Sequence, residues 1–264
     1  MTTSATQSLP ATDRFSWRRV GMIARYYFPT LKRPLILFPL LSLAVGGFYL
    51  LSIRFQINII FSGTLSTVLS FLYYWSPIIF NRIESSQLTT TLPCRWTERA
   101  TFVIIFALLG LPLLVFGPSY VLSELGQYLY FDNYISLIHA WEPMETPVQT
   151  DLDFIGILLK VSMSLLPFSV ALYTIHRARK SRVFKAIMFS VAALIGQSIT
   201  IGVLIGVLLA RDIQSGVASG AVPVEPVPTD MIWKVSLIVG CILGALALMF
   251  IVLTIRRFKT TQLS

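Results

Sequence analysis

The chain has 264 residues, of which 55% are hydrophobic and only 12% are charged, whereas about 25% of the residues of an ordinary soluble domain are charged. So little charge excludes a soluble globule of this size and leaves no room for a soluble catalytic domain. The formal net charge of +9 could indicate a nucleic-acid partner, but the distribution of the basic residues argues against one, as shown below.

The N-terminal segment is polar at first and then amphipathic. Residues 1–13 are rich in Ser and Thr, and we expect them to be disordered. Residues 14–28 predict an interfacial helix with an apolar arc in lipid and arginines on the opposite arc. Pro29 and Pro34 are expected to break this helix before the first span. A simple anchor and a role in moving the first span both fit. The predicted lipid contacts of its side chains are Arg14, Trp17, Arg18 and Arg25.

Six apolar segments follow, each close to the roughly 20 residues that cross a bilayer core as a helix. They are apolar on all faces, whereas barrel strands alternate apolar and polar residues. The sequence therefore predicts an all-α integral membrane protein with one transmembrane domain over residues 14–264. The predicted spans are residues 35–53, 57–80, 100–123, 154–175, 186–210 and 234–255.

Basic residues border these segments mainly on one side. With the N-terminus placed inside, 17 of the 21 lysines and arginines fall in inner segments, and only Arg54, Lys160, Arg211 and Lys234 do not. This bias predicts that both termini are cytoplasmic. The positive charge is therefore explained by membrane topology and by contact with anionic lipid headgroups. No nucleic-acid partner is expected.

The motifs that would carry catalysis are absent from the sequence, which contains no P-loop, HExxH or GxSxG. His139 and His176 are predicted on opposite sides of the membrane, so they cannot share a metal ion. We therefore expect no catalytic residue, metal site or cofactor in this chain, and no enzymatic activity of its own.

Three polar residues within the spans are candidates for a substrate path, namely Asn58, Lys160 and Gln197. A charge at the centre of a bilayer costs roughly 2.5–3.5 kcal/mol on insertion scales. Lys160 lies seven residues after Asp153, close enough to the predicted outer boundary for its side chain to snorkel outward. Snorkelling and a place in a substrate path both remain open for this lysine.

Small residues and prolines within the spans bear on how the helices pack. Gly202 and Gly206, like Gly240 and Gly244, form GxxxG patterns that let two helices approach closely. Packing within one subunit and a dimer contact both explain these patterns. Several prolines in or beside spans predict bent helices around a cavity, namely Pro39, Pro77, Pro112, Pro118 and Pro167.

The polar stretch at residues 81–99, NRIESSQLTTTLPCRWTER, lies between the second and third predicted spans. It is far longer than the turn around Arg54, which shows how short a connector can be. The segment SSQLTTTL is predicted to form a short helix on the cytoplasmic face, which Pro93 ends. A solvated loop with a structural cap and a helix pushed by a soluble partner are both consistent with this pattern.

The same stretch resembles the permease subunits of ABC transporters of the type-2 class. Those proteins carry an Arg/Glu-containing segment after the second span, then Leu-x-x-x-Pro and an acidic residue before the third. The residues that carry the resemblance are Arg82, Glu84, Ser85-Ser86-Gln87-Leu88, Leu92-Pro93-Cys94-Arg95 and Glu98. Ser85-Ser86 replaces a frequent Gly-Thr, and Cys94 a usual Ser or Ala.

The resemblance implies a function and a set of partners. Residues 84–95 would be a coupling helix seated on a separate ATP-binding cassette subunit, which would bind ATP-Mg. Two permease copies, or one copy and a paralogue, would complete an exporter in the lipids of the bacterial cytoplasmic membrane. The residues implied to contact the ATP-binding subunit are Glu84, Leu88, Leu92, Pro93, Arg95 and Glu98.

A different function remains possible from the residues alone. A non-transporting six-helix scaffold could recruit cytoplasmic proteins through residues 81–99 and through the cationic segment HRARKSRVFK at residues 176–185. An intramembrane enzyme is a third alternative, which would need a catalytic constellation that the sequence does not show. The substrate of a transporter is not readable from this sequence, whose spans would suit lipids, peptides or drugs.

Overall fold

A computed structural model describes residues 15–54, 59–85, 95–129, 150–218 and 229–262. The described part of the chain is helical and contains no strand. The α-helices are α1 (Trp17–Arg54), α2 (Ile59–Trp75), α3 (Phe80–Ser85), α4 (Trp96–Ile105), α5 (Leu111–Leu129), α6 (Thr150–Arg177), α7 (Arg182–Ala218) and α8 (Thr229–Gln262). A 3₁₀ turn, Ser76–Ile79, joins α2 to α3, and a π-helical turn, Phe106–Gly110, joins α4 to α5.

Five helical segments of the described residues are long and apolar enough to cross a membrane. They overlap five of the six predicted spans, so the all-helical, multi-span class is confirmed at this level. The segments are Trp17–Leu51, Trp96–Gly126, Ile155–Arg177, Arg182–Leu204 and Trp233–Thr260. The second predicted span, 57–80, contains α2, a helix of 17 residues, and the 3₁₀ turn that follows it.

The predicted break between an interfacial helix and the first span was wrong. One helix of 38 residues, α1, contains Pro29, Pro34 and Pro39 in its interior. A proline removes one backbone hydrogen bond, but tertiary packing can hold the helix together around the gap. Tyr27 and Leu31, on either side of Pro29, are both fully buried, so packing supports α1 where the predicted break falls.

The predicted burial of the apolar arc of residues 14–28 in lipid was also wrong for most of the arc. Val20, Ile23 and Tyr27 are buried against the rest of the protein. Their cluster includes Phe80, Phe102 and other side chains from α3 and α4. A hydrophobic arc marks only the buried side of a helix, and here much of that side packs against protein.

Aromatic rings fill the core around α2 and α6. The rings of Tyr73 and Phe168 stack in parallel with their centroids 4.7 Å apart. Phe116 from α5 packs against Tyr73 with a centroid distance of 5.4 Å. Such pairs stabilise a core beyond their buried area, and this group joins α2, α5 and α6 in the middle of the bundle.

The π-helical turn accommodates Pro112 in a long apolar helix. The backbone N–H of Leu111 donates to the carbonyl of Phe106, five residues earlier. Pro112 lacks an N–H, and in a regular α-helix its ring crowds the carbonyl four residues earlier. The wider turn relieves this crowding. A Cβ atom on Gly110 would lie 2.6 Å from the ring of Phe106, so a larger residue at this position would displace that ring.

Helices α1 and α5 approach closely through small residues. The hydroxyl of Ser119 donates to the carbonyl of Ser42 at 2.6 Å, and the two hydroxyl oxygens are 2.7 Å apart. Gly46 lies one turn further along α1, where a Cβ atom would be 3.3 Å from the Cα of Ser119. Small residues therefore set the distance between these helices.

The two GxxxG patterns have different surroundings. A Cβ atom on Gly240 would lie 3.4 Å from the Cα of Leu159, and one on Gly244 would lie 3.1 Å from the Oγ of Ser162. This pattern therefore packs α8 against α6 within the chain. A Cβ atom on Gly202 or Gly206 would have no described side chain and no backbone of another helix within 4 Å. The GxxxG pattern in α7 therefore packs against no described part of this chain.

Two neighbouring glycines test the close contact between α1 and α5. Gly46→Val would force methyl groups into the backbone of Ser119 and should lower the unfolding free energy by about 1–3 kcal/mol. Gly47→Val is the matched control, since a Cβ on Gly47 meets nothing within 4 Å. Reversible SDS titration in mixed micelles measures both. Equal effects of the two substitutions would contradict the close contact.

Candidate functional site

The polar stretch 81–99 leaves the bundle from α3, whose apolar residues are fixed in the core. Phe80 and Ile83 are both fully buried. The ring of Phe80 lies edge-on to Phe106 with a centroid distance of 5.9 Å. The first end of the stretch is therefore held by packing. Glu84 lies in α3, while Leu88, Leu92 and Pro93 lie outside the described residues.

The second end of the stretch is held by a buried carboxylate. Glu98, in the first turn of α4, has a side chain that is 0% exposed. Its Oε2 accepts a hydrogen bond from the backbone N–H of Arg95 at 3.2 Å. An acidic residue here also faces the partial positive charge at the start of the helix. This local arrangement fixes the direction in which the chain enters α4.

The same carboxylate binds the beginning of α1. Its Oε1 accepts from Nε of Arg19 at 2.7 Å and from the backbone N–H of Ser16 at 3.1 Å. Arg19 is partly exposed, with 24% of its side chain accessible. A buried charge is stable only when it is paired and hydrogen-bonded, and Glu98 has three donors around its two oxygens.

In the structure Glu98 is buried within its own chain, whereas the resemblance implies an accessible position against a partner subunit. A contact with a partner subunit needs an accessible carboxylate, whereas this one is enclosed and bound to residues of its own chain. The sequence offered no signal for the Arg19 pair, because the two residues are 79 positions apart. Arg95 is partly exposed, and its predicted contact with a partner stays a prediction.

Arg99 extends the anchor to the C-terminal helix. The guanidinium carbon of this buried arginine lies 5.3 Å from the ring centroid of Phe258 in α8, within the range of a cation–π contact. The ring of His176, at the end of α6, lies 4.8 Å from Phe258 and 5.7 Å from Phe80. One cluster therefore joins both ends of the polar stretch to α6 and α8.

Phe258 was not named from the sequence, and His176 was considered there only as a metal ligand and as part of a cationic segment. His176 is one of two histidines and lies in a cationic segment, where a solvated side chain is the ordinary expectation. The structure buries it between two aromatic rings. In the part of the chain that the structure describes, no group of three His, Cys, Asp or Glu side chains is placed to hold a metal ion.

The candidates for a substrate path lie in two neighbouring helices. Lys160 is partly buried in α6 and Gln197 is buried in α7, while Asn58 lies outside the described residues. At 1.5 Å per residue, the two positions are about 26 and 22 Å from the turn that joins these helices. Lys160 thus lies near the far end of a core about 30 Å thick, where snorkelling remains available to it.

Buried Gln197 has an unsatisfied polar atom. Its Oε1 has no hydrogen-bond partner among the described residues. An unpaired amide oxygen in an apolar region is costly, so the side chain could bind a polar group that enters from outside the chain.

The predicted lipid contacts at the start of α1 are accessible where they are described. Trp17 is 65% exposed, and Arg18 and Arg25 are exposed as well. Arg14 lies outside the described residues. Lipid contact by these side chains stays a prediction.

Two adjacent arginines provide a test of the buried carboxylate. Arg19→Gln removes the charge that faces Glu98 and should lower the unfolding free energy by about 2 kcal/mol, because a buried charge loses its partner. Arg18→Gln removes the same charge from an exposed position and should stay within about 0.5 kcal/mol of the unmodified protein. SDS titration measures both. A loss of the same size in both variants would contradict the pair.

Comparison with known proteins assigns no family to this chain. No family model, no curated protein and no solved structure matches it.

Proposed function

We propose that this chain is the membrane-spanning permease subunit of an ATP-driven exporter of the ABC type-2 class. The observation that supports the proposal best is the anchoring of the polar stretch 81–99 at both of its ends. Phe80 and Ile83 hold the first end, and Glu98 and Arg99 hold the second. A segment that transmits a push must be fixed to the bundle at both ends, and this stretch meets that requirement.

A displacement of this stretch by a partner would be transmitted to most of the bundle. Through Glu98 and Arg19 it would move the start of α1. Through Arg99 and Phe258 it would move α8, and through Phe80 and His176 it would move the end of α6. Because close-packed side chains are rigid at this scale, a displacement at one face of the membrane would change the spacing of the spans.

In this proposal the chain crosses the membrane six times. Residues 59–85 are continuously helical and about 40 Å long at 1.5 Å per residue, which exceeds the thickness of a bilayer core. The second crossing would therefore consist of α2, the 3₁₀ turn and α3. Both termini would be cytoplasmic in the bacterial inner membrane, as the distribution of basic residues predicts.

The energy would come from a separate ATP-binding cassette subunit, which binds ATP-Mg and grips residues 84–95. Two permease subunits, identical or paralogous, would enclose the substrate path with twelve spans. Lys160 and Gln197 would be polar positions along that path. Lipids, peptides and drugs are the candidate substrate classes.

Co-purification tests the proposal directly. The tagged chain, extracted from its native membrane in a gentle detergent, should bring down a P-loop ATPase with measurable ATP hydrolysis. Recovery of other cytoplasmic proteins with no ATPase would favour the scaffold function instead. Recovery of the chain alone, under conditions that preserve a known transporter complex, would contradict the proposal.

Charge reversal in the coupling segment tests the mechanism. Glu84→Lys should leave the protein inserted and the ATPase active but should abolish substrate transport, because the contact that transmits the movement becomes repulsive. Asp13→Lys is the matched control, since it makes the same change of charge on the predicted cytoplasmic side but outside the segment. Transport and ATP hydrolysis in proteoliposomes measure the coupling. Normal transport by the Glu84 variant would count against the mechanism.

A further inference from the structure

A tight turn joins α6 to α7 at residues 178–181, between two helices that are apolar enough to cross a membrane. Ser181 has a φ of 52°, in the left-handed region that allows the chain to reverse in so few residues. The guanidinium Nε of Arg182 donates to the carbonyl of Ala178 at 2.6 Å, which fixes this arginine against the turn. The turn is therefore an ordered feature at one face of the membrane.

A cleft of about 810 Å³ opens beside this turn. Its lining residues are of two kinds: polar ones, here called the polar wall, which include two positive charges, and apolar ones, here called the apolar wall. The polar wall consists of Asn81, Arg179, Ser181 and Arg182. The apolar wall consists of Val183, Phe184 and Ile187.

The polar wall suits a phosphate group. Two guanidinium groups can each offer paired N–H donors to phosphate oxygens. The first-turn N–H groups of α7, in residues 182–184, have no acceptor within the helix and carry its partial positive charge. Asn81 from α3 adds an amide to the lining of the cleft. No acidic residue is among the described residues that line the cleft, so an anion would meet donors and no negative charge there.

The apolar wall indicates that the anion belongs to a lipid. Phe184 lines the cleft and is 65% exposed. Met188 and Ile195 continue the same face of α7 toward the middle of the membrane, and both are more than half exposed. A soluble phosphate would leave this surface uncovered, whereas an acyl chain attached to the phosphate would cover it.

We propose that this cleft is a binding site for an anionic phospholipid, independent of the proposed transport function. The phosphate lies between Arg179 and Arg182, and Asn81 contacts the headgroup. One acyl chain lies along Phe184 and Ile187. Basic pockets at the ends of transmembrane helices are a recognised way for a protein to select anionic lipids.

Lipid binding to the purified full chain tests the site. Native mass spectrometry would compare the retention of phosphatidylglycerol with that of phosphatidylcholine in the unmodified protein, with retention of phosphatidylglycerol expected to be the stronger. Arg179→Gln should weaken phosphatidylglycerol binding about fivefold, as expected for one basic residue at a lipid surface. Lys180→Gln removes the same charge from an exposed neighbour that does not line the cleft, and it should change the binding less than twofold.

Two further measurements distinguish a lipid site from a general attraction of positive charge and from a site for soluble phosphate. Phe184→Ser should weaken phosphatidylglycerol binding while leaving the charge unchanged, which keeps the test open if the arginine variant does not fold. Glycerol phosphate in millimolar excess should not displace the lipid. Equal retention of both lipids, equal losses in the Arg179 and Lys180 variants, or full displacement by glycerol phosphate would each overturn the proposal.

Discussion

The buried carboxylate of Glu98 is the constraint on which the arrangement of this bundle depends. A charge with 0% exposure must be neutralised by its own surroundings, and Glu98 meets this requirement with Arg19 and two backbone N–H groups. Its donors come from the segment before α1, from α1 itself and from the residue before α4. Satisfying one charge therefore fixes where the chain begins its first helix and where the polar stretch 81–99 ends.

This constraint also explains why the start of α1 is part of the core. The ion pair holds α1 beside α4, so Ile23 and Tyr27 lie where they can pack against Phe102 and the rings around it. The next residue of α4, Arg99, lies over Phe258. The polar stretch is thus attached to a layer of charged and aromatic side chains. In the proposed function, this layer spreads a local displacement over several spans.

Much of the fold was predictable because hydrophobic run length has a direct physical meaning in a membrane. The errors arose where one pattern has two physical outcomes. Prolines such as Pro29 and Pro34 usually end a helix in water. In α1, the buried neighbours of Pro29 keep the helix continuous. The apolar arc at Val20 and Ile23 fits lipid or protein equally well. The pairing of Arg19 with Glu98 was not predictable at all, since it needs the three-dimensional arrangement of two distant segments.

The proposed coupling role makes the natural thiol of Cys94 a direct reporter, because this residue lies in the segment that the ATP-binding subunit would grip. Cys241 in α8 is exposed on the apolar surface, so Cys241→Ser leaves Cys94 as the single thiol of the chain. A thiol-reactive photo-crosslinker attached to Cys94 in native membranes should capture a P-loop ATPase, identified by mass spectrometry, and Cys94→Ser should abolish the adduct. Labelling of Cys94 from the outer face, or capture of no ATPase, would contradict the account.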